Sequence, residues 1–186
     1  MAKKFTNTLY TNDNLYVLSG LNSESVDLIY LDPPFNSKRT YSAPVGSKAA
    51  GTSFKDMWTW KDVDEYYLDS LAVNFPSLTQ YITSIGKIHS KPMMAYLTYM
   101  SQRIIEMHRV LKETGAFYLH CDPTASHYLK IILDEVFGKN NFGSVAKSIG
   151  KTVRIRQSRM RFFEAWTAGN GIFCLESEVF WASIIE

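Results

Sequence analysis

The chain has 186 residues, 46% hydrophobic and 20% charged, with a formal net charge of +2. That balance suits one globular domain with a real core, and so small a positive excess does not by itself point to nucleic acid. Two cysteines without metal-like spacing (Cys121 and Cys174), an amino terminus with no apolar core behind its lysines, and no apolar run near the roughly 20 residues that span a bilayer predict a cytoplasmic protein with no membrane partner.

Thr8 to Thr11 predicts a short strand. Asn12, Asp13 and Asn14 can each cap a helix, and Leu15, Leu18 and Leu21 continue at helical spacing, which predicts a helix over 14–21. Val26 to Leu31 is a short, nearly continuous apolar run, the pattern of a buried strand in a parallel sheet. Pro33 and Pro34 end it, since neither can donate a ladder hydrogen bond.

Residues 36–60 are polar and carry Gly46, Gly51 and the cations Lys38, Arg39, Lys48 and Lys55. A connection of that length is a working loop or a mobile one. Trp58 and Trp60 at its far end read as core anchors. From Lys61 to Gly86 the pattern is helical with a break near Pro76. The acids Asp62, Asp64, Glu65 and Asp69 lie along what reads as a solvated face rather than a metal site. After Pro92, Leu97, Met100, Ile104, Met107 and Leu111 form one apolar helical stripe that stops before Gly115. Ala116 to His120 predicts a second strand. Asp122 then caps a helix with Pro123 at its first position, carries Leu129, Ile132, Leu133 and Val136 inward, and gives way at Gly138. Alternating strands and helices predict an α/β fold with a three-layer, mainly parallel sheet. His120 and Cys121 are adjacent on a strand and point to opposite faces, so no metal is expected there.

The chemistry concentrates at Asp32-Pro33-Pro34-Phe35. An acid and a ring stand on stiff backbone at the carboxyl edge of a sheet, where open α/β sheets place ligands. Asp32 and the Pro33 carbonyl are two acceptors that can hold the hydrogens of one amine, leaving its lone pair able to attack a methyl group. Phe35 offers a face on which a base can stack. The plainer reading is a strand-ending turn.

The segment Ser25-Val26-Asp27-Leu28-Ile29-Tyr30-Leu31-Asp32-Pro33-Pro34-Phe35-Asn36 resembles the catalytic motif of the amino-methylating DNA methyltransferases, closest to those acting on adenine in which the catalytic half precedes the cofactor half. The resemblance runs from about Thr8 to about Phe142. It implies a Rossmann-like methyltransferase fold, S-adenosyl-L-methionine as cofactor, double-stranded DNA as partner, and a role in restriction-modification. It also implies Asp32, Pro33, Pro34 and Phe35 as catalytic, and Asp13 in contact with the adenine moiety of the cofactor. Asp13 reads equally as a plain helix cap.

Two features depart from the resembled pattern. The family's Phe-x-Gly-x-Gly-like turn, where glycine lets the backbone approach the cofactor, is not found; Gly169-Asn170-Gly171 reads as an ordinary turn. After Phe142 the chain turns basic, with Lys147, Lys151, Arg154, Arg156, Arg159 and Arg161 and no acid between Gly143 and Phe163, then apolar from Ile172 to Ile185. The division expected is therefore a catalytic, target-base half over 1–142 and a tail over 143–186, the whole an incomplete Rossmann-like fold. Lys38, Arg39, Lys147, Lys151, Arg154 and Arg156 are candidate phosphate contacts, with an unfolded tail as the alternative. The leading expectation is an adenine methyltransferase. The alternatives are a non-catalytic DNA-binding or assembly subunit, one half of a split enzyme completed by a second chain, and a methyltransferase of RNA or protein amines.

Overall fold

The structure, a computed structural model, describes residues 8–10, 12–34, 36, 39–42, 53–56, 58–63, 65–121, 123–147, 151–156, 172–176 and 178–183. The elements in order are β1 (Leu9–Tyr10), α1 (Asn14–Ser19), β2 (Val26–Asp32), β3 (Arg39–Ser42), β4 (Ser53–Asp56), α2 (Glu65–Asn74), α3 (Pro76–Ile88), α4 (Lys91–Val110), β5 (Leu111–His120), α5 (Pro123–Phe137), β6 (Phe142–Lys147), β7 (Lys151–Arg156), β8 (Ile172–Glu176) and β9 (Glu178–Ser183). They form two compact units, Met1–Pro33 with Arg103–Glu186, and Pro34–Gln102. The change of character at Phe142 does not coincide with a division between them.

The first unit is built on a seven-stranded sheet in the order β1-β8-β9-β2-β5-β7-β6. The fold is mixed α/β. The expectation of a mainly parallel sheet needs correction: β1/β8 and β2/β5 pair in parallel, whereas β2/β9, β5/β7, β6/β7 and β8/β9 pair antiparallel. Connection length accounts for β2/β5 and for the two hairpins. A helix-bearing crossover separates β2 from β5, as parallel pairing requires, while β6/β7 and β8/β9 are close in sequence and can pair only as antiparallel neighbours. The stretch read as a tail thus supplies four strands, with Lys151 to Arg156 laid along β5 and the apolar end laid along β2.

Side chains of β2 and β5 alternate. Ile29, Leu31, Phe117 and Leu119 are fully buried, and Tyr30, Asp32, Tyr118 and His120 on the other face are half-buried. β2 is therefore not buried on both faces as its apolar run suggested. Beside the buried face, Phe137 of α5 contacts Phe117 at 5.1 Å and meets His108 of α4 edge-on at 5.0 Å. Leu129, Ile132 and Leu133 of α5 and Ile104, Met107 and Val110 of α4 complete this core. Deleting a fully buried ring such as Phe117 costs about 3–5 kcal/mol in comparable cores.

The α4 stripe is buried at every position expected, but the helix hands over to β5 at Leu111, four residues before Gly115. Pairing with β2 shifts between Val26↔Leu111 and Leu28↔Ala116, so residues 112–115 stand opposite Asp27 alone and form an irregular step in the strand. Gly115 permits that step. A Cβ there would stand 2.7 Å from Leu111 Cδ1 and 2.9 Å from the Lys112 carbonyl oxygen, and the backbone oxygen cannot rotate away. Gly115→Ala is expected to cost about 1–3 kcal/mol. The check is a lower urea midpoint at unchanged m-value; an unchanged midpoint would refute the packing argument.

The second unit contains the antiparallel pair β3/β4, which lies in the stretch read from sequence as a loop, and the helices α2, α3 and the first turns of α4. The helical break falls at Phe75, with Pro76 at the first position of α3. Leu71, Leu78, Ile82 and Ile85 are buried. Trp58 packs on the Tyr99 ring at 3.9 Å and near Tyr96 at 5.9 Å, the anchoring role expected of it. Gly86 lets the Met94 side chain lie directly against α3.

Candidate active site at the carboxyl ends of β2 and β5

β2 and β5 run parallel, and Leu31 pairs with Leu119. The next residue on each strand, Asp32 and His120, therefore falls at the same sheet edge. Asp32 Oδ1 accepts a hydrogen bond from His120 Nδ1 at 2.8 Å, with 35% of the Asp32 side chain and 25% of the His120 side chain exposed. A carboxylate can only accept, so Nδ1 carries the proton in this arrangement. Oδ2 of Asp32 makes no hydrogen bond among the described residues.

Tyr30 and Tyr118, also paired in register, lie on the same face one step back. Burial, and then the negative charge of Asp32, push the Tyr30 hydroxyl above its usual pKa of 10.0, so it stays neutral. Pro33 and Pro34 are both buried after the strand end. Asn36 adopts φ +58, a left-handed conformation that asparagine tolerates. The strand-ending turn is real, and it leaves the Asp32 carboxylate at its mouth. Phe35, the expected stacking ring, and Lys38 lie outside the described residues.

Asp13 caps α1 by accepting from the Leu15 N–H at 2.8 Å, and the same carboxylate receives Arg103 Nη2 at 2.8 and 2.7 Å. Arg103 is 3% exposed at its side chain and Asp13 39%. The helix-cap reading of Asp13 is thus built in the structure, with the addition of a buried guanidinium that the sequence did not suggest. Below it, Arg109 holds the far end of α1, donating to the carbonyls of Leu18 at 2.8 Å and Leu21 at 3.0 Å. Lys112 joins Asp27 of β2 at 2.8 Å.

The candidate phosphate contacts fall in two places. Arg39 begins β3, and Lys147 pairs with Lys151 at one end of the β6/β7 pair, while Arg154 and Arg156 are register partners of Tyr118 and Ala116. Arg154 and Arg156 are thereby brought alongside β5, the strand that carries His120, and Arg39 is not part of that sheet. Among the described residues there is no group of three or more His, Cys, Asp or Glu that could hold a metal. No helix among them is long and apolar enough to cross a membrane.

His120 is a site residue that the sequence did not single out: the segment from Gly115 to Asp122 resembles the family's strand that backs the target pocket, but His120 itself was weighed as a metal ligand. The available signal was parity: His120 ends its strand as Asp32 ends the other, and both strands show the same alternation.

An acid followed by two buried prolines thus stands at the carboxyl end of a parallel strand in a mixed α/β fold. Residues 26–152 match the profile of the DNA methylase (N6/N4 methyltransferase) family. The chain belongs to that family. It is 31% identical over 144 residues to the type III restriction-modification enzyme StyLTI Mod subunit of Salmonella typhimurium, covering 75% of this chain and 20% of that protein. It is 27% identical over 150 residues to the EcoPI Mod subunit of Escherichia phage P1, covering 75% and 20%. Similarity to the type II methyltransferase M.KpnI of Klebsiella pneumoniae is 25% over 140 residues, covering 74% and 25%. The chain therefore spans about a fifth to a quarter of the length of these curated relatives.

Proposed function

We propose that this chain carries the target-base half of a DNA methyltransferase acting on the exocyclic amine of adenine within a restriction-modification system. The observation that carries the reading is the position of Asp32: an acceptor at the carboxyl end of a parallel strand, stiffened by Pro33 and Pro34, inside the segment that matches the DNA methylase family. The full domain would be a Rossmann-like, three-layer fold in a cytoplasmic enzyme. Residues 1–142 would bear the base-handling chemistry, with residues 143–186 extending the sheet.

In the proposed mechanism the adenine is turned out of the duplex and stacks on Phe35. Asp32 and the Pro33 carbonyl accept the two hydrogens of the amine. That would hold the nitrogen lone pair clear of both acceptors and open to a methyl donor, and the gain comes from positioning rather than from a covalent intermediate. S-adenosyl-L-methionine, the cofactor this family uses, supplies an electrophilic methyl group when bound. Asp13 is the described residue proposed to touch it. Three of the four acceptor positions of its carboxylate are used by Leu15 and Arg103, and the remaining one on Oδ2 fits an amine donor such as that of the cofactor's adenine.

Lys38, Arg39, Lys147, Lys151, Arg154 and Arg156 are proposed to meet DNA phosphates. Two of the relatives are named as Mod subunits, so a second chain is a proposed partner, whether a companion subunit or the supplier of the cofactor-binding half.

The test is calorimetric titration of the purified chain with S-adenosyl-L-methionine, with and without duplex DNA, followed by a methyl-transfer assay offering DNA, RNA and protein separately. Saturable binding and transfer to DNA adenine are expected. Transfer to RNA or protein instead would overturn the substrate assignment, and DNA binding with no cofactor binding would favour the non-catalytic or split reading.

A further inference from the structure

We propose that His120 is a positioning residue for Asp32, fixing the carboxylate so that Oδ2 alone faces the target amine. The inference rests on the reading of Asp32 given above and adds a residue to it. Its basis is geometric. The pairing Leu31↔Leu119 sets the last residues of β2 and β5 side by side, and the contact at 2.8 Å is as short as a charge-assisted hydrogen bond. Both partners are mounted on central strands of the sheet rather than on loops, which is where a side chain can be held to within a fraction of an ångström.

An aspartate at a strand end can turn about two side-chain bonds, and a third of this one is exposed. With Nδ1–H of His120 tied to Oδ1, those rotations are restricted and the second oxygen acquires a fixed direction. The same bond requires the imidazole to carry its proton on Nδ1, the reverse of the Nε2–H form that a free neutral histidine prefers. Tyr30 and Tyr118 lie behind the pair on the same face, and Tyr30, its hydroxyl pKa raised by burial and by the Asp32 charge, brings no competing charge.

The first experiment reads the ring directly. In the purified chain labelled with 15N at histidine, His120 is expected to show the Nδ1-protonated tautomer, and Asp32→Ala is expected to return it toward Nε2–H. A wild-type ring already in the Nε2–H form, or one indifferent to Asp32→Ala, would overturn the proposal. The second experiment reads methyl transfer to duplex DNA. His120→Ala is expected to lower kcat about 10- to 100-fold at nearly constant KM, the scale of a displacement of about 1 Å at a reacting group. His120→Asn, whose amide nitrogen can stand where Nδ1 stands, is expected to recover most of that loss. Full activity in His120→Ala would also overturn it. A wild-type chain that transfers no methyl group would count against the proposed function instead, while the ring signal would still decide the pairing.

Discussion

Asp32→Ala is expected to reduce methyl transfer at least about 1,000-fold while leaving the fold and the affinity for DNA close to wild type. Deleting a single preorganised hydrogen-bonding group from an active site costs about 100- to 1,000-fold. Asp32 also sets the orientation of the amine, so the upper end applies. The structural cost is small. The side chain is 35% exposed, lies on the half-buried face of β2, and its described hydrogen bond goes to His120. Losing one partly solvated hydrogen bond costs about 0.5–1.5 kcal/mol. Asp32→Asn is the sharper control, because it keeps the shape and can place an NH₂ where an acceptor is required. Transfer assayed with radiolabelled cofactor, beside thermal melts and DNA titrations, separates the two effects. Retained transfer in Asp32→Ala would remove Asp32 from the mechanism.

Asp13→Ala is expected to destabilise the fold by about 2–4 kcal/mol. The change removes a helix cap, worth about 1 kcal/mol. It also removes the Asp13 carboxylate from Arg103, which is only 3% exposed at its side chain. Breaking a fully buried ion pair from one side costs about 3–5 kcal/mol, and the 39% exposure of Asp13 brings this case below that range. Two further variants divide the effect. Asp13→Ser keeps a capping oxygen and loses the charge, so it should fall between wild type and Asp13→Ala. The double change Asp13→Ala with Arg103→Met removes the buried cation as well and should recover part of the loss. Urea midpoints at constant m-value are the measurement. If Asp13 served only the cofactor, Asp13→Ala would leave the midpoint where it was.

The local part of this fold was legible and the long-range part was not. Leu97, Met100, Ile104, Met107 and Leu111 announce α4 because helical periodicity is a property of neighbours in sequence, and all five are buried as expected. Pro76 and Pro123 announce the starts of α3 and α5 for the same reason. The helix-to-strand handover at Leu111 was hidden, because an apolar residue there satisfies both patterns and only pairing with Val26 decides it. Basic residues from Lys151 to Arg156 disguised a strand whose partner is β5, and the apolar end of the chain gave no hint that it would pair with β2. At the site, Asp32 with its prolines was visible from the local string alone. Its partner His120 was not, since the two are 88 residues apart and meet only through the register of two parallel strands.

The strand that carries Asp32 has one early neighbour and one late one. β2 pairs with β5 on one side, but its other side is closed by β9, with Asp32 itself opposite Val179. While the chain emerges from the ribosome, β2 therefore stays an uncapped edge, with a ladder of unpaired N–H and C=O groups, until almost all of these residues exist. Pairing so distant in sequence is slow to form, because the loop must close before the contact rewards it. Truncation before β9 would do more than shorten the molecule. It would expose the working strand to pairing with other copies, making aggregation, rather than a soluble inactive fragment, the expected fate of such a product.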